Sequence, residues 1–87
     1  MKNPKRIGHF TEKAGRLFLV NDADQQYEVS YLVSLMWRAA DGKHGLEDIL
    51  SIIGDNAMDI YMKRPRMRKT LAKAIDELSR MGLMTYS

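Results

Sequence analysis

The chain has 87 residues, 45% of them hydrophobic, a formal net charge of +3 and no cysteine. This length provides one small domain, and the lack of cysteine excludes disulfides, a cysteine nucleophile and thiolate metal ligands. No apolar stretch approaches the roughly 20 residues that span a bilayer, and no apolar segment follows the basic N-terminus. Both observations favour a soluble cytoplasmic protein that does not act in a membrane.

Three short strands are predicted in the first third of the chain. Residues 6–11 and 16–20 are rich in β-branched, leucine and aromatic residues, and Gly15 between them suits a turn. A second turn at residues 21–24 contains Asn and Asp, which can hydrogen-bond their own backbone. Residues 25–29 then form the third strand, so tight turns join all three into an antiparallel meander.

Two helices are predicted next. Ser30 is placed to cap the first helix, Gly42 to end it, and Gly54 to end the second. The turn between them is then only residues 43–45, a length typical of a helix-turn-helix unit. The apolar positions have helical spacing; they are Leu32, Val33, Leu35, Met36, Trp37, Ala39 and Ala40 in the first helix, and Leu46, Ile49, Leu50 and Ile53 in the second.

A third helix is predicted from about Pro65 to Met81, because Pro suits a first turn and Gly82 can stop the helix. Leu83 and Met84 are expected to fold back onto the core. Residues 55–62 are expected to form a helical turn or a loop. The sequence therefore predicts an α+β domain over residues 6–87, with a flexible tail at residues 1–5. The apolar side of the third helix carries Met67, Leu71, Ala74, Ile75, Leu78 and Met81.

The third helix begins in a strongly basic stretch. Residues 14–62 contain three basic residues and eight acidic ones, whereas residues 63–87 contain seven basic and two acidic ones. Lys73–Glu77 and Asp76–Arg80 have the spacing of helical ion pairs, which leaves positive charge unmatched in the first half. This pattern gives two alternatives, a nucleic-acid-binding helix-turn-helix protein or an ordinary solvated face. The candidate nucleic-acid contacts are Lys63, Arg64, Arg66, Lys69 and Lys73.

Catalytic and metal chemistry receive little support from the sequence. His9 and His44 are the only histidines, and neither has a second ligand at metal-binding spacing. The adjacent acids Glu47-Asp48 and Asp76-Glu77 point to different faces of their helices. We therefore expect no catalytic residue, no metal and no cofactor.

The order of these elements resembles the PqqD family, the peptide chaperones of pyrroloquinoline quinone biosynthesis, and the related RiPP recognition elements. The resemblance covers residues 6–84 and rests on Trp37, Asp41-Gly42, the start of the second helix, Leu78 and Gly82-Leu83. It implies a winged-helix-like fold and a domain that binds a precursor or leader peptide. The peptide would be presented to a modifying enzyme such as a radical SAM enzyme.

The resemblance also implies where a peptide would bind. The third strand has an open edge if nothing covers it, and an extended peptide can pair with that edge as a further strand. The last helix would form the other wall of the groove, where basic residues would suit an acidic leader peptide. We expect a monomer or weak dimer. The candidate peptide-binding residues are Gln26, Tyr27, Glu28 and Val29 on the strand, and Arg68, Leu71, Ala72 and Ile75 on the helix.

Overall fold

A computed structural model describes residues 3–56 and 64–87, with only the backbone described at residues 55, 56 and 64. Two antiparallel sheets and three helices make up an α+β domain, so the predicted fold class is confirmed at this level. The elements are β1 (Pro4–Arg6), β2 (His9–Lys13), β3 (Arg16–Val20), β4 (Gln26–Glu28), α1 (Tyr31–Ala39), α2 (Leu46–Asn56), α3 (Arg64–Arg80) and β5 (Met84–Tyr86).

The predicted meander is present as a three-stranded sheet in the order β2-β3-β4. Lys13 pairs with Arg16, so Ala14 and Gly15 alone form the hairpin turn. Both have positive φ, 52° and 77°, as in the two-residue turns whose twist matches a right-handed sheet. The first strand of this sheet, β2, begins at His9 rather than at the predicted residue 6, because Gly8 at φ +89° bends the chain there.

The expected N-terminal tail is instead part of a second sheet. Strand β1 pairs with β5 in antiparallel register from Pro4–Tyr86 to Arg6–Met84. Hydrogen bonds between the backbones of Asn3 and Ser87 extend this pairing. The prediction that Leu83 and Met84 return to the core is confirmed, since both are buried. The prediction of a loose tail at residues 3–5 was wrong, and residues 1–2 lie outside the described part of the chain.

Helix α1 has the predicted cap, because the Ser30 hydroxyl accepts a hydrogen bond from the Val33 backbone N–H. The two predicted glycine stops do not mark the helix ends, since α1 already ends at Ala39 with Ala40 as its C-cap. Gly42 lies beyond the end of α1 with φ +82°, but α2 continues through Gly54 to Asn56, so a stop at Gly54 was wrong. The connection spans residues 40–45, twice the predicted turn, and the predicted loop at 55–62 falls largely outside the described residues.

The core lies between the three helices and one face of the larger sheet. Seven side chains are almost completely buried: Leu19, Met36, Ile49, Leu50, Ile53, Leu71 and Leu83. Trp37 is also buried, and its indole N–H donates to the Leu83 carbonyl at 3.0 Å. This bond joins α1 to the segment after α3, where Gly82 at φ +74° ends the helix as predicted. The bond therefore fixes the end of α3 against α1.

Candidate groove between strand β4 and helix α3

The edge of β4 that faces away from β3 is open within the described residues. The sheet order ends at β4, and the Val29 backbone N–H donates inward to Leu17 at 2.9 Å. Backbone groups in an antiparallel ladder point alternately to either side. Tyr27 and Val29 therefore bond β3, whereas the N–H and C=O groups of Gln26 and Glu28 point outward.

Helix α3 lies opposite this edge and forms a groove with it. The strand side of the groove continues from β4 into the first turn of α1 and is lined by Tyr27, Glu28, Val29, Ser30 and Val33. The helix side is lined by Ala74, Glu77, Leu78 and Met81. The four helix positions share one face because residues three and four apart lie above one another. Apart from the two glutamates and Ser30, the lining is apolar or aromatic.

The size of the groove limits what can enter it. Its volume is about 250 Å³, below the range of about 300–1,000 Å³ that is usual for sites of drug-sized ligands. One or two side chains of an extended segment fit such a volume better than a cofactor does. Glu28, whose backbone N–H and C=O groups point outward, lines the same groove, so main-chain pairing at β4 and side-chain burial can occur together.

The predicted strand residues are placed in or beside the groove, but the predicted helix wall was wrong. Leu71 and Ile75 are buried core residues. Ala72 and Ile75 line a different cavity, beside Pro4, Leu46 and Tyr86. Arg68 also points elsewhere, since its guanidinium is paired with Glu47 at 2.7 Å. The wall is formed instead by residues 74, 77, 78 and 81, about one turn further along α3.

The rim of the groove is acidic. Glu28 and Glu77 are both exposed and line the groove, whereas the lining contains no Lys or Arg. Arg16 lies 3.8 Å from Glu28, but the two side chains are 70% and 55% exposed, so solvent screens their interaction strongly. The basic helix wall expected from the sequence is therefore replaced by one that carries negative charge.

Asn21 fixes the position of β4 relative to α3. Its side-chain oxygen accepts hydrogen bonds from the Ala23 and Gln25 backbone N–H groups, as expected for this turn. Its amide nitrogen donates to the Met81 carbonyl at 2.7 Å, at the end of α3. Asn21 is only 6% exposed. The sequence indicated the turn but contained no signal for this bond across 60 positions.

None of the candidate nucleic-acid contacts that the structure describes is among the residues that line the groove. Arg66, Lys69 and Lys73 are exposed on α3. Lys63 lies outside the described residues, and the Arg64 side chain is not described. The predicted Asp76–Arg80 ion pair is present at 2.9 Å. The predicted Lys73–Glu77 pair is absent from the ion pairs of the described residues, so Glu77 keeps its charge available at the groove.

The two histidines differ in their surroundings. His9 is exposed on β2, whereas Nδ1 of His44 lies 3.0 Å from both carboxylate oxygens of Asp41. The Lys43 backbone N–H, which donates to Asp41 at 2.8 Å, lowers the pKa of that carboxyl below its usual range, and His44 adds to this effect. Within residues 3–56 and 64–87, no three His, Asp or Glu side chains are grouped to hold a metal. The Asp41–His44 contact lies within the α1–α2 connection.

Comparison of the chain with protein-family models, curated proteins and solved structures gave no match. Among the described helices, none has the length and apolar character needed to cross a membrane.

Proposed function

We propose that this chain is a peptide-binding domain without enzymatic activity of its own. It captures an extended segment of a precursor peptide by strand addition to β4 and presents that segment to a modifying enzyme. A radical SAM enzyme is the partner that the resemblance to PqqD and RiPP recognition elements suggests. We place the activity in the cytoplasm, with the domain as a monomer or weak dimer.

The observation that carries this proposal is the open edge of β4 facing an apolar groove. The N–H and C=O groups of Gln26 and Glu28 offer four main-chain hydrogen bonds to an added strand. Each intramolecular bond of this kind contributes about 0.5–1.5 kcal/mol net. Side chains on alternate positions of the added strand would point toward α3. Burial against Val33, Leu78 and Met81 would supply the remaining affinity.

The assignment of the fold to the winged-helix-like class is also part of this proposal. Three helices follow the meander, and β5 returns beside them to pair with β1. We assign this arrangement to the winged-helix-like class, with β1 and β5 forming a two-stranded sheet next to α3. Its six-residue α1–α2 connection differs from a tight helix-turn-helix. This difference argues against DNA reading by a helix-turn-helix unit.

Titration of ¹⁵N-labelled protein with peptides encoded by neighbouring genes tests the proposal. A bound precursor peptide is expected to shift the amides of residues 26–30, 33 and 74–81 selectively. Shifts confined to residues 66–73, or the absence of saturable shifts with every encoded peptide, would contradict it.

A matched pair of variants sharpens this test. Val33 and Leu35 are both partly buried on α1, but Val33 lines the groove and Leu35 lines the cavity against α2. Val33→Gln is expected to weaken peptide binding about tenfold, because it places a polar group against the bound side chain. Leu35→Gln is expected to leave binding within about twofold in the fraction that remains folded.

Nucleic-acid binding is the second candidate function, and the exposure of Arg66, Lys69 and Lys73 favours it. Duplex binding through these side chains predicts an affinity that falls steeply with salt, with a log–log slope of about one per phosphate contact. Changing all three residues to Ala should abolish that dependence. The control is Lys13, Arg16 and Lys43 changed to Ala, because these exposed residues carry the same total charge elsewhere. Equal duplex affinity of the two triple variants would exclude a specific role for α3.

A further inference from the structure

The charge around the groove indicates which segments it accepts. Glu28 and Glu77 line the groove between β4 and α3, with no basic side chain among the lining residues. Glu77 is exposed and has no ion-pair partner among the described residues. Glu28 has only a long, solvent-screened contact with Arg16. An apolar floor beneath two carboxylates suits a segment that combines an apolar side chain with positive charge.

We propose that the groove selects an extended segment in which an apolar residue is flanked by Lys or Arg. This inference rests on the proposed peptide-binding function and names its substrate class. The apolar side chain occupies the space between Val33, Leu78 and Met81. The flanking cations point to the other face of the added strand, on which Glu28 also lies, so their charged ends reach Glu28 and are attracted by Glu77 over a longer distance. An acidic segment is disfavoured at the same positions.

The same charges argue against a second copy of this chain as the occupant. A symmetric dimer formed through the β4 edges would bring Glu28 and Glu77 of both copies into one interface. Four carboxylates would then gather where each copy offers no basic lining residue. Like charges at an interface disfavour association. A cationic segment from another chain meets no such repulsion.

The test uses three blocked peptides, acetyl-Thr-Val-X-Leu-X-Val-Thr-amide, in which X is Lys, Gln or Glu. Dissociation constants are measured from amide shifts of the labelled protein at low salt. The Lys peptide is expected to bind about two- to fivefold more tightly than the Gln peptide, the range for exposed ion pairs. The Glu peptide is expected to bind more weakly than both. Raising the ionic strength should bring the three constants together.

Two double variants provide the matched comparison. Glu28→Gln with Glu77→Gln is expected to bring the three peptides within about twofold of one another. Glu12→Gln with Asp48→Asn removes the same charge from exposed positions away from the groove, and it should preserve the preference. Dispersed amide spectra establish that each variant is folded.

The possible failures are distinguishable. If the three peptides bind the parent protein through residues 26–30 and 74–81 with equal affinity, the charge preference is wrong and peptide binding stands. If none of them shifts these amides, both proposals fail for extended segments. If the β4 amides shift with protein concentration alone, a second copy occupies the groove and the preference for a cationic segment is overturned.

Discussion

At the scale of single residues, Trp37 joins the helices to the end of the chain. Its indole N–H donates to the buried Leu83 carbonyl, which also accepts the Ile7 backbone N–H at 3.0 Å. Trp37→Phe removes one bond and leaves a small void, but the carbonyl remains paired. We expect the free energy of unfolding to fall by about 1–2 kcal/mol, measured by urea denaturation. Tyr86→Phe, at a residue 49% exposed, is the control and should change it by less than about 0.5 kcal/mol.

Asp41 predicts a pH effect at the same scale. Because the folded state lowers the pKa of this carboxyl, its contribution to stability is present above its ordinary value of 3.8 and is lost as pH falls through the lower folded value. Asp41→Asn should therefore reduce the drop in urea midpoint between pH 5 and pH 3. An unchanged drop in this variant would show that the Lys43 and His44 contacts do not stabilise the fold.

Single residues also show which structural features can be predicted from local sequence patterns. Ser30 as a cap, Gly15 in a turn and Trp37 in the core all follow from neighbouring residues, and the structure confirms each of them. The Asn21 turn was predictable for the same reason. Its bond to Met81 was not, because a contact across 60 positions depends on how complete elements pack.

At the scale of elements, the outward-facing N–H of Glu28 gives a direct test of strand addition. Pro is tolerated on an edge strand where the missing N–H faces solvent, so Glu28→Pro should preserve the ladder with β3. It removes one donor and places a ring in the path of an added strand. Peptide binding is expected to weaken about tenfold or more, measured by the titration described above.

Glu12→Pro is the matched control, because β2 forms the opposite edge of the same sheet. The ladder alternation turns the Glu12 N–H away from β3, as it does for Glu28. Both variants should fold, but only Glu28→Pro should lose binding. Equal losses in the two variants would indicate general destabilisation of the sheet rather than a blocked edge.

The packing of the elements also explains why the helix wall of the groove was predicted wrongly. Periodicity identified the buried side of α3 correctly, since Met67, Leu71, Ala74, Ile75 and Leu78 are all buried. A helix buried on a broad face has two flanks, however, and the pattern alone does not tell which one faces β4. Residues 68 and 72 lie on the flank away from the groove, whereas residues 77 and 81 lie on the near one. The β1–β5 pairing was missed because its two strands are about 80 positions apart.

At the scale of the whole molecule, the lining of the groove includes Glu77 of α3 but none of the exposed bases described on that helix. Arg66 and Lys69 lie in its first half, and Lys73 lies just past its midpoint, one turn before Glu77; these three bases form the basic surface. Peptide binding in the groove and anion binding on the basic surface should therefore respond to different variants. Arg66, Lys69 and Lys73 changed to Ala are expected to leave the affinity for the Lys peptide unchanged or slightly higher, in the shift titration. A marked loss would place the peptide on the basic surface instead.

Hydrogen exchange of the β4 amides tests the central claim most directly. In the free protein, the Gln26 and Glu28 amides should exchange rapidly, whereas the Tyr27 and Val29 amides, which bond β3, should be protected. Addition of a bound peptide should protect Gln26 and Glu28 and leave their neighbours little changed. Protection of Gln26 and Glu28 in the free monomer, or their continued rapid exchange in the saturated complex, would contradict strand addition at this edge.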